Sequence, residues 1–290
     1  MFGVTGITGN VGSVVARSLL DSGQSVRAIV RDESKGEVWA RRGCAVAVAD
    51  IFDAKALTEA FESTEGVFVL VPPVFDPKPD FPEAHAVAFA LKLAIAAAKP
   101  GKVVYLSTIG AEAKETNLLT QHTIIEDTLR GVPVPVTFLR PAWFMENSSW
   151  DVASAQNEGM VSSFLQPLDR AVPMVATADI GKLAAELLQE SWTGKRVVEL
   201  EGPARITPHD IAGELSRLLG HPVRLQIVPR ETWETLFLSQ GMRNPTPRIR
   251  MLDGFNEGWI EFERGAVSSR KGTTRLETIL QLLIDRASKH

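Results

Sequence analysis

"VTGITGNVGS", residues 4–13, puts three glycines three apart near the start of the chain: Gly6, Gly9 and Gly12. Residues 2–5 before it read as a short strand. After it, Val14, Val15, Ser18 and Leu19 fall at helical spacing, and Gly23 stops that helix. A stretch with so little side chain, set between a strand and a helix, is built for close approach to the backbone. Gly6 permits a tight turn, Gly9 opens backbone N–H groups to a ligand, and Gly12 lets the helix pack close to the strand.

The same unit recurs along the chain. Residues 25–31, 44–50, 66–71, 102–108 and 134–141 read as further strands, and 34–42, 54–62, 83–98 and 118–130 as the helices between them. The strands are apolar and β-branched throughout, as strands covered on both faces are. The reading is α/β: a Rossmann-type doubly wound parallel sheet with helices on each side. In that context the glycines form a dinucleotide fingerprint, with a pyrophosphate at the positive end of the first helix; a glycine-rich turn without a ligand is the alternative. Thr8, Asn10 and Val11 lie in the same loop and are assigned to the same contact.

Beyond residue 150 the pattern becomes a smaller mixed α/β lobe on the substrate side. Residues 1–150 are expected to form the nucleotide-binding domain, its sheet completed by 172–200. Residues 151–290 are expected to form the second lobe, interleaved with the first. A helix ending at 189 is capped near Thr177 or Asp179; a strand covers 196–203; a helix over 206–220 has Thr207 as N-cap, Pro208 in its first turn and Gly220 as its stop. A strand at 222–229, a helix at 230–241 and a terminal helix at 276–286 follow. Residues 242–254 read as a loop with three arginines, either an anion-attracting cluster or a solvated face.

Composition narrows the functional class. The chain has 290 residues, 44% hydrophobic and 23% charged, as ordinary globular proteins do. A formal net charge of -4 argues against a nucleic-acid surface. The single cysteine, Cys44, rules out an internal disulfide, and no Cys/His metal cluster is visible; a reducing cytoplasm is expected. No basic, apolar leader opens the sequence, and the apolar run 84–98 is interrupted by His85 and Lys92 and too short for a bilayer, so no membrane is expected.

The second strand ends in Arg31, with Asp32 next and Lys35 nearby. A guanidinium there suits the 2′-phosphate of NADP, whereas Asp32 could serve the free ribose of NAD; a solvated strand end is the plain alternative. Asp50, ahead of Ile51, ends the third strand and could meet an adenine amino group or cap the next helix.

Together "GITGNVG", the "RD" after strand two, Ala49-Asp50, "LSTIGA" (106–111) and "LRPAWFMEN" (139–147) resemble the NmrA-like group of atypical short-chain dehydrogenases/reductases. The likeness covers most of the chain and is strongest over residues 3–185. It implies an NAD(P)H-dependent oxidoreductase, NADPH preferred, acting on a quinone-like or azo electron acceptor. The group also contains non-catalytic NADP(H)-binding redox sensors that regulate partners. By the same resemblance Val71, Pro72, Ser107 and Pro141 line the cofactor, and a homodimer is allowed.

The wider superfamily uses a tyrosine four residues before a lysine, after a serine on the preceding strand. Here the only tyrosine, Tyr105, lies within the fifth strand, and no lysine follows it at that offset. Where the pair should stand, His122 and Glu126 lie one helical turn apart. His122 is a candidate proton donor with Glu126 to orient it or raise its pKa; a surface pair beside the cofactor is the alternative. Thr108 and Ser107, at the end of strand five, are candidate hydroxyls for a substrate carbonyl or the nicotinamide, or simple backbone partners. Losing the tyrosine-lysine pair argues against alcohol dehydrogenation and against epimerisation. It is compatible with reducing a quinone, whose hydroquinone anion is delocalised and needs no strong donor.

The acceptor is expected outside the carboxyl ends of the strands. The proline-rich stretch 71–82 offers Phe75 and Phe81 as a cover. The loop after strand six offers Trp143, Phe144 and Met145, with Asn147 as a polar anchor, or these are core residues joining the lobes.

Overall fold

The central sheet is built from units in which a strand leads into a helix that returns over its face. In the computed structural model, residues 1–263, 265 and 268–288 are described. The first half runs β1 (Phe2–Val4), α1 (Asn10–Asp21), β2 (Val26–Val30), α2 (Glu37–Ala40), β3 (Ala45–Val48), α3 (Ala54–Phe61), β4 (Gly66–Val69), α4 (Pro82–Ala98), β5 (Val103–Leu106), α5 (Thr120–Arg130) and β6 (Val136–Pro141). The second half adds β7 (Trp143–Phe144), α6 (Ser149–Glu158), β8 (Met160–Ser163), β9 (Met174–Val175), α7 (Thr177–Gln189), β10 (Lys195–Glu201), α8 (Pro208–Leu219) and β11 (Arg224–Ile227). It closes with α9 (Trp233–Ser239), α10 (Thr246–Glu257), β12 (Arg270–Lys271) and α11 (Leu276–Ala287).

Eight strands form one sheet in the order β3-β2-β1-β4-β5-β6-β10-β12, and every neighbouring pair is parallel. The order reverses between β1 and β4, so a crevice opens there at the carboxyl ends of the strands. Alternation along each strand sorts its side chains between two apolar layers. On β5, Val104 and Leu106 join the layer that holds Val15 and Leu19 of α1 and Ile180 and Leu187 of α7. Val103 and Tyr105 join the layer of Phe61, Leu91, Ile95 and Leu129 from α3, α4 and α5. Each such side chain contributes about 1.5–3 kcal/mol on burial.

The second half adds two small parallel pairs, β8 with β11 and β7 with β9. Helix α11 packs against α6 and α8, while Trp233 and Phe237 of α9 pack with Ile249 and Leu252 of α10. Helix α10 corrects the expected loop at 242–254. Its prolines, Pro245 and Pro247, sit before and inside the first turn, where a missing N–H costs nothing, and Ile249, Leu252 and Phe255 are buried at three-residue spacing. The residues singled out as the cap of α7 act otherwise. Ala176 is the N-cap; Thr177 lies inside the helix, its N–H donating to the Glu146 carboxylate at 2.9 Å; and Asp179 accepts N–H bonds from Thr273 and Thr274. Thr207 caps α8 as expected, in a reciprocal box with Asp210. Among the described residues no helix is long and apolar enough to cross a membrane.

Candidate functional site

The glycine loop joins β1 to α1 at the edge of the crevice. Gly6 has φ +61°, the left-handed region that favours glycine, and a Cβ there would lie 3.2 Å from the Leu70 side chain of the neighbouring strand end. A Cβ on Gly12 would stand 2.3 Å from the Gly6 carbonyl oxygen, so the helix can approach the turn only with glycine at that position. Gly9 meets no such obstacle, only the Gly6 oxygen at 3.3 Å, and Thr8, Gly9 and Asn10 are exposed. Val11 is buried in the core, which leaves its backbone N–H, not its side chain, for a ligand. Gly9 caps α1 without a side-chain hydrogen bond, and no acid lies in the first turn. The helix therefore presents unpaired N–H groups and the positive end of its dipole to the crevice, an arrangement that fits a pyrophosphate.

At the end of β2, Arg31 and Lys35 are exposed. Asp32 is folded back on its own turn: its carboxylate accepts the Ser34 N–H at 3.0 Å and the Ser34 hydroxyl at 2.8 Å, and these bonds hold it below the usual carboxylate range. That leaves the basic pair as the more available contact. Asp50 accepts the Phe52 N–H at 2.9 Å, whereas the following helix is capped by Asp53; this excludes Asp50 as the helix cap. Ile51 is half-buried beside it.

Next to the crevice lies a cavity of about 370 Å³. The carboxyl ends of three adjacent strands supply its floor: Leu70 and Val71 after β4, Ser107 and Thr108 after β5, and Ala142 and Trp143 after β6. Leu70, which also presses on Gly6, links cavity to crevice, and Thr5 Oγ1 accepts its N–H at 2.8 Å. Phe144, Asn147 and the exposed Phe75 line the cavity. Trp143 meets Phe255 of α10 edge-to-face at 5.0 Å. Two expected contacts are core residues instead. Met145 is 1% exposed, its methyl packed over Gly202, and Phe81 is 6% exposed at the start of α4. Pro141 is buried at the end of β6, and Pro72 is exposed outside the cavity lining. The proline-rich cover is pinned near its middle: Gln121 exchanges hydrogen bonds with the Val74 backbone, and Asp76 accepts the Arg243 and Asn244 N–H groups.

His122 and Glu126 share a face of α5 but not a hydrogen bond, which corrects the expectation that Glu126 orients the imidazole. Glu126 is 2% exposed and accepts from Ser107 Oγ at 2.6 Å and from Arg140 Nε and Nη2 at 2.9 and 2.8 Å. It is a structural anchor beneath the strand ends, and it ties up the Ser107 proton. The partner of His122 is Tyr105, with the hydroxyl 2.8 Å from Nδ1. Burial pushes the Tyr105 pKa well up, so the hydroxyl keeps its proton, and with no other acceptor for that proton among the described residues it donates to Nδ1. The imidazole hydrogen is thereby placed on Nε2, on a residue that lines the cavity. Burial pushes His122 down to about 4, outweighing the opposite pull of the Glu126 charge. His122 is therefore a neutral hydrogen-bond donor near pH 7, not a charged acid. Thr108 lines the cavity with its hydroxyl in no side-chain bond among the described residues.

Two lining residues carry no motif in the sequence. Asp151, in the first turn of α6, has its carboxyl pushed up to about 7 by burial. Arg248 reaches the cavity from α10, a helix the loop reading concealed. The only signal for either would have been a charged residue on a mostly apolar helical face.

A parallel sheet with a bare glycine turn at its switch point and an apolar cavity beside it defines a Rossmann-type α/β protein. Residues 2–262 match the NmrA-like family, and the chain belongs to it. It is 27% identical over 244 residues to Quinone oxidoreductase 2 of Escherichia coli, covering 83% of this chain and 82% of that protein. It is 27% identical over 242 residues to the NAD(P)H azoreductase of Xenophilus azovorans, covering 82% and 81%. The structure of an NADPH-dependent quinone oxidoreductase from Escherichia coli complexed with NADPH superposes with a TM-score of 0.82 at 24% identity, over 98% of this chain and 99% of that one.

Proposed function

We propose that this chain is an NAD(P)H-dependent reductase that prefers NADPH and passes a hydride to a flat, quinone-like acceptor, an azo compound being the other acceptor class. The observation that carries this reading is the contact between crevice and cavity across Leu70, which puts the bare glycine turn and a mostly apolar pocket on either side of one strand end. The quinone and azo substrates in the names of the two relatives support it.

The residues divide the work as follows. The backbone N–H groups at the start of α1 hold the pyrophosphate, and Arg31 with Lys35 meets the 2′-phosphate. Bound in this way, the nicotinamide supplies a hydride at the cavity floor. Trp143, Phe144 and Phe255 clamp a planar acceptor, and the pinned cover with Phe75 excludes bulk water. His122 Nε2–H and the Thr108 hydroxyl donate to the acceptor oxygens as negative charge builds on them. Asp151 is the lining group with a proton to release near neutrality, and it converts the hydroquinone anion to the hydroquinone.

The test is NADPH oxidation by purified protein against a panel of quinones and azo dyes, followed at the nicotinamide absorbance. Steady turnover with quinones and none with simple alcohols is expected. Tight NADPH binding with no turnover on any acceptor would overturn the reductase reading in favour of a redox sensor.

A further inference from the structure

The three arginines of residues 242–254 have different surroundings. Arg250 lies 3.5 Å from Asp253 and over the Trp259 ring. Arg243 is exposed, on a turn whose N–H groups are held by Asp76. Arg248 is half-buried and lines the acceptor cavity. Its guanidinium stacks over Phe237 at 4.4 Å, and Nη1 lies 3.8 Å from the Met242 sulfur. No carboxylate pairs with it among the described residues.

That is unusual within this molecule. Arg140, Arg196 and Arg205, all at least partly withdrawn from water, each hold a carboxylate, and the half-buried Arg27 donates to the Ala60 and Glu62 carbonyls. A guanidinium offers five N–H donors and stays charged in proteins, and neither a thioether nor a ring face satisfies its fork. Burial alone lowers the Arg248 pKa, as expected of a cation desolvated without an anion beside it. The other titratable lining residues are His122, which is neutral, and Asp151, which forms no ion pair with Arg248. The cavity is thus mostly apolar, and its one fixed cation has no carboxylate paired with it among the described residues.

We infer that Arg248 selects acceptors that carry an anionic substituent, a carboxylate, sulfonate or phosphate on the flat ring system, and pairs with that group by its open fork. This rests on the reductase reading above. A fork-to-anion pair fixes a plane as well as a position, so it orients the ring over the cavity floor. Stacking on Phe237 would clamp α10 to α9 without any ligand, but it leaves the N–H edge unused.

The experiment compares kcat/KM for 1,2-naphthoquinone-4-sulfonate and for 1,2-naphthoquinone in the unmodified protein, Arg248→Met and Arg248→Lys. Taking the ratio cancels differences in acceptor reactivity. Arg248→Met is expected to lower the sulfonate-to-neutral ratio about 10- to 100-fold, mostly through KM, with Arg248→Lys between the two. In the unmodified protein the sulfonate preference is expected to shrink as ionic strength rises, a readout that needs no variant to fold. Calorimetry with naphthalene-2-sulfonate and neutral naphthalene-2-methanol, with and without NADP, separates the two claims. If no quinone is reduced but the sulfonate binds selectively through Arg248, the reductase reading falls and the anion site stands. If quinones are reduced while the ratio moves less than about threefold and calorimetry shows no sulfonate preference, the anion site falls and the reductase reading stands.

Discussion

The crevice and the cavity share Leu70 and are built in opposite ways. At the crevice the main chain does the recognising, and side chains are removed to let it: Gly6, Gly9 and Gly12 fall within seven residues. In the cavity side chains do the recognising, and they arrive from segments between Leu70 and Phe255, on strand ends, a pinned loop and several helices. A site made of backbone tolerates almost no added atom. A site made of side chains loses function one group at a time.

The sharpest way to break this contrast lies inside the glycine loop. Gly12→Ala puts a methyl 2.3 Å from the Gly6 oxygen, where backbone must move. It is expected to cost about 3 kcal/mol of stability and to abolish NADPH binding together. Gly9→Ala meets only the Gly6 oxygen at 3.3 Å and has an ordinary φ of -88°. It is expected to stay within about 1 kcal/mol of the unmodified protein and still to weaken NADPH at least tenfold, because the added methyl faces the ligand and not the core. Urea denaturation and NADPH titration of both variants decide the matter. Equal stability losses would mean that Gly9 is also a packing glycine.

Glu126 is the next test, since it lies between the two kinds of site. It holds the buried guanidinium of Arg140 and the Ser107 hydroxyl behind the cavity floor. Glu126→Gln leaves Arg140 with Glu112 and Glu263, which are less buried. An expected loss of about 2 kcal/mol follows, below the usual cost of breaking a buried pair because these partners remain. If instead Glu126 governs the imidazole, stability will hold and the pH profile of turnover will move.

These differences explain what could be read from the sequence. The order of strands and helices was legible because buried parallel strands are continuous apolar runs and the glycine fingerprint is local. Helix α10 was not, because prolines in a first turn look like a loop when the burial of Ile249, Leu252 and Phe255 is unknown. Spacing placed His122 and Glu126 on one face of α5 but could not show that Arg140, fourteen residues beyond Glu126, claims the carboxylate. Tyr105 sits mid-strand and has no signature for setting a histidine tautomer across seventeen residues. Asp151 and Arg248 became visible only when tertiary packing brought their helices to a common cavity.

The cavity side of the contrast has its own titration. Asp151 in the folded protein lies at about 7 against an ordinary 3.8, so the folded state keeps a proton that the unfolded chain has lost. Its contribution therefore weakens stability as pH rises through that window. His122 lies at about 4 against 6.5, so its contribution weakens stability as pH falls through that one. Where the windows overlap, the slopes oppose each other. Asp151→Asn is expected to raise stability above pH 7 by about 1.5 kcal/mol, discounted because the residue is only partly buried, and to uncover the His122 slope below pH 6.5. The same variant is expected to flatten the fall of kcat/KM above neutrality. A stability profile parallel to that of the unmodified protein would show that Asp151 is solvated and ionised like a surface acid.

The smallest effects on stability come from two helix starts that are built differently. Helix α8 is closed by the Thr207–Asp210 box, and α1 begins on Gly9 with nothing over its first N–H groups. Thr207→Ala removes a cap and is expected to cost about 1 kcal/mol with no change in NADPH affinity. Gly9→Asp does the reverse at α1: φ -88° and ψ 175° suit an N-cap, and a carboxylate there would accept the free N–H groups. In the absence of nucleotide that variant is expected to gain a few tenths of a kcal/mol, and NADPH binding should fall far more than in Gly9→Ala, because the new carboxylate takes the donors and repels the phosphates. Thermal melts with and without NADPH measure both quantities. A gain in stability with NADPH affinity intact would mean that the open end of α1 is not where the phosphates rest.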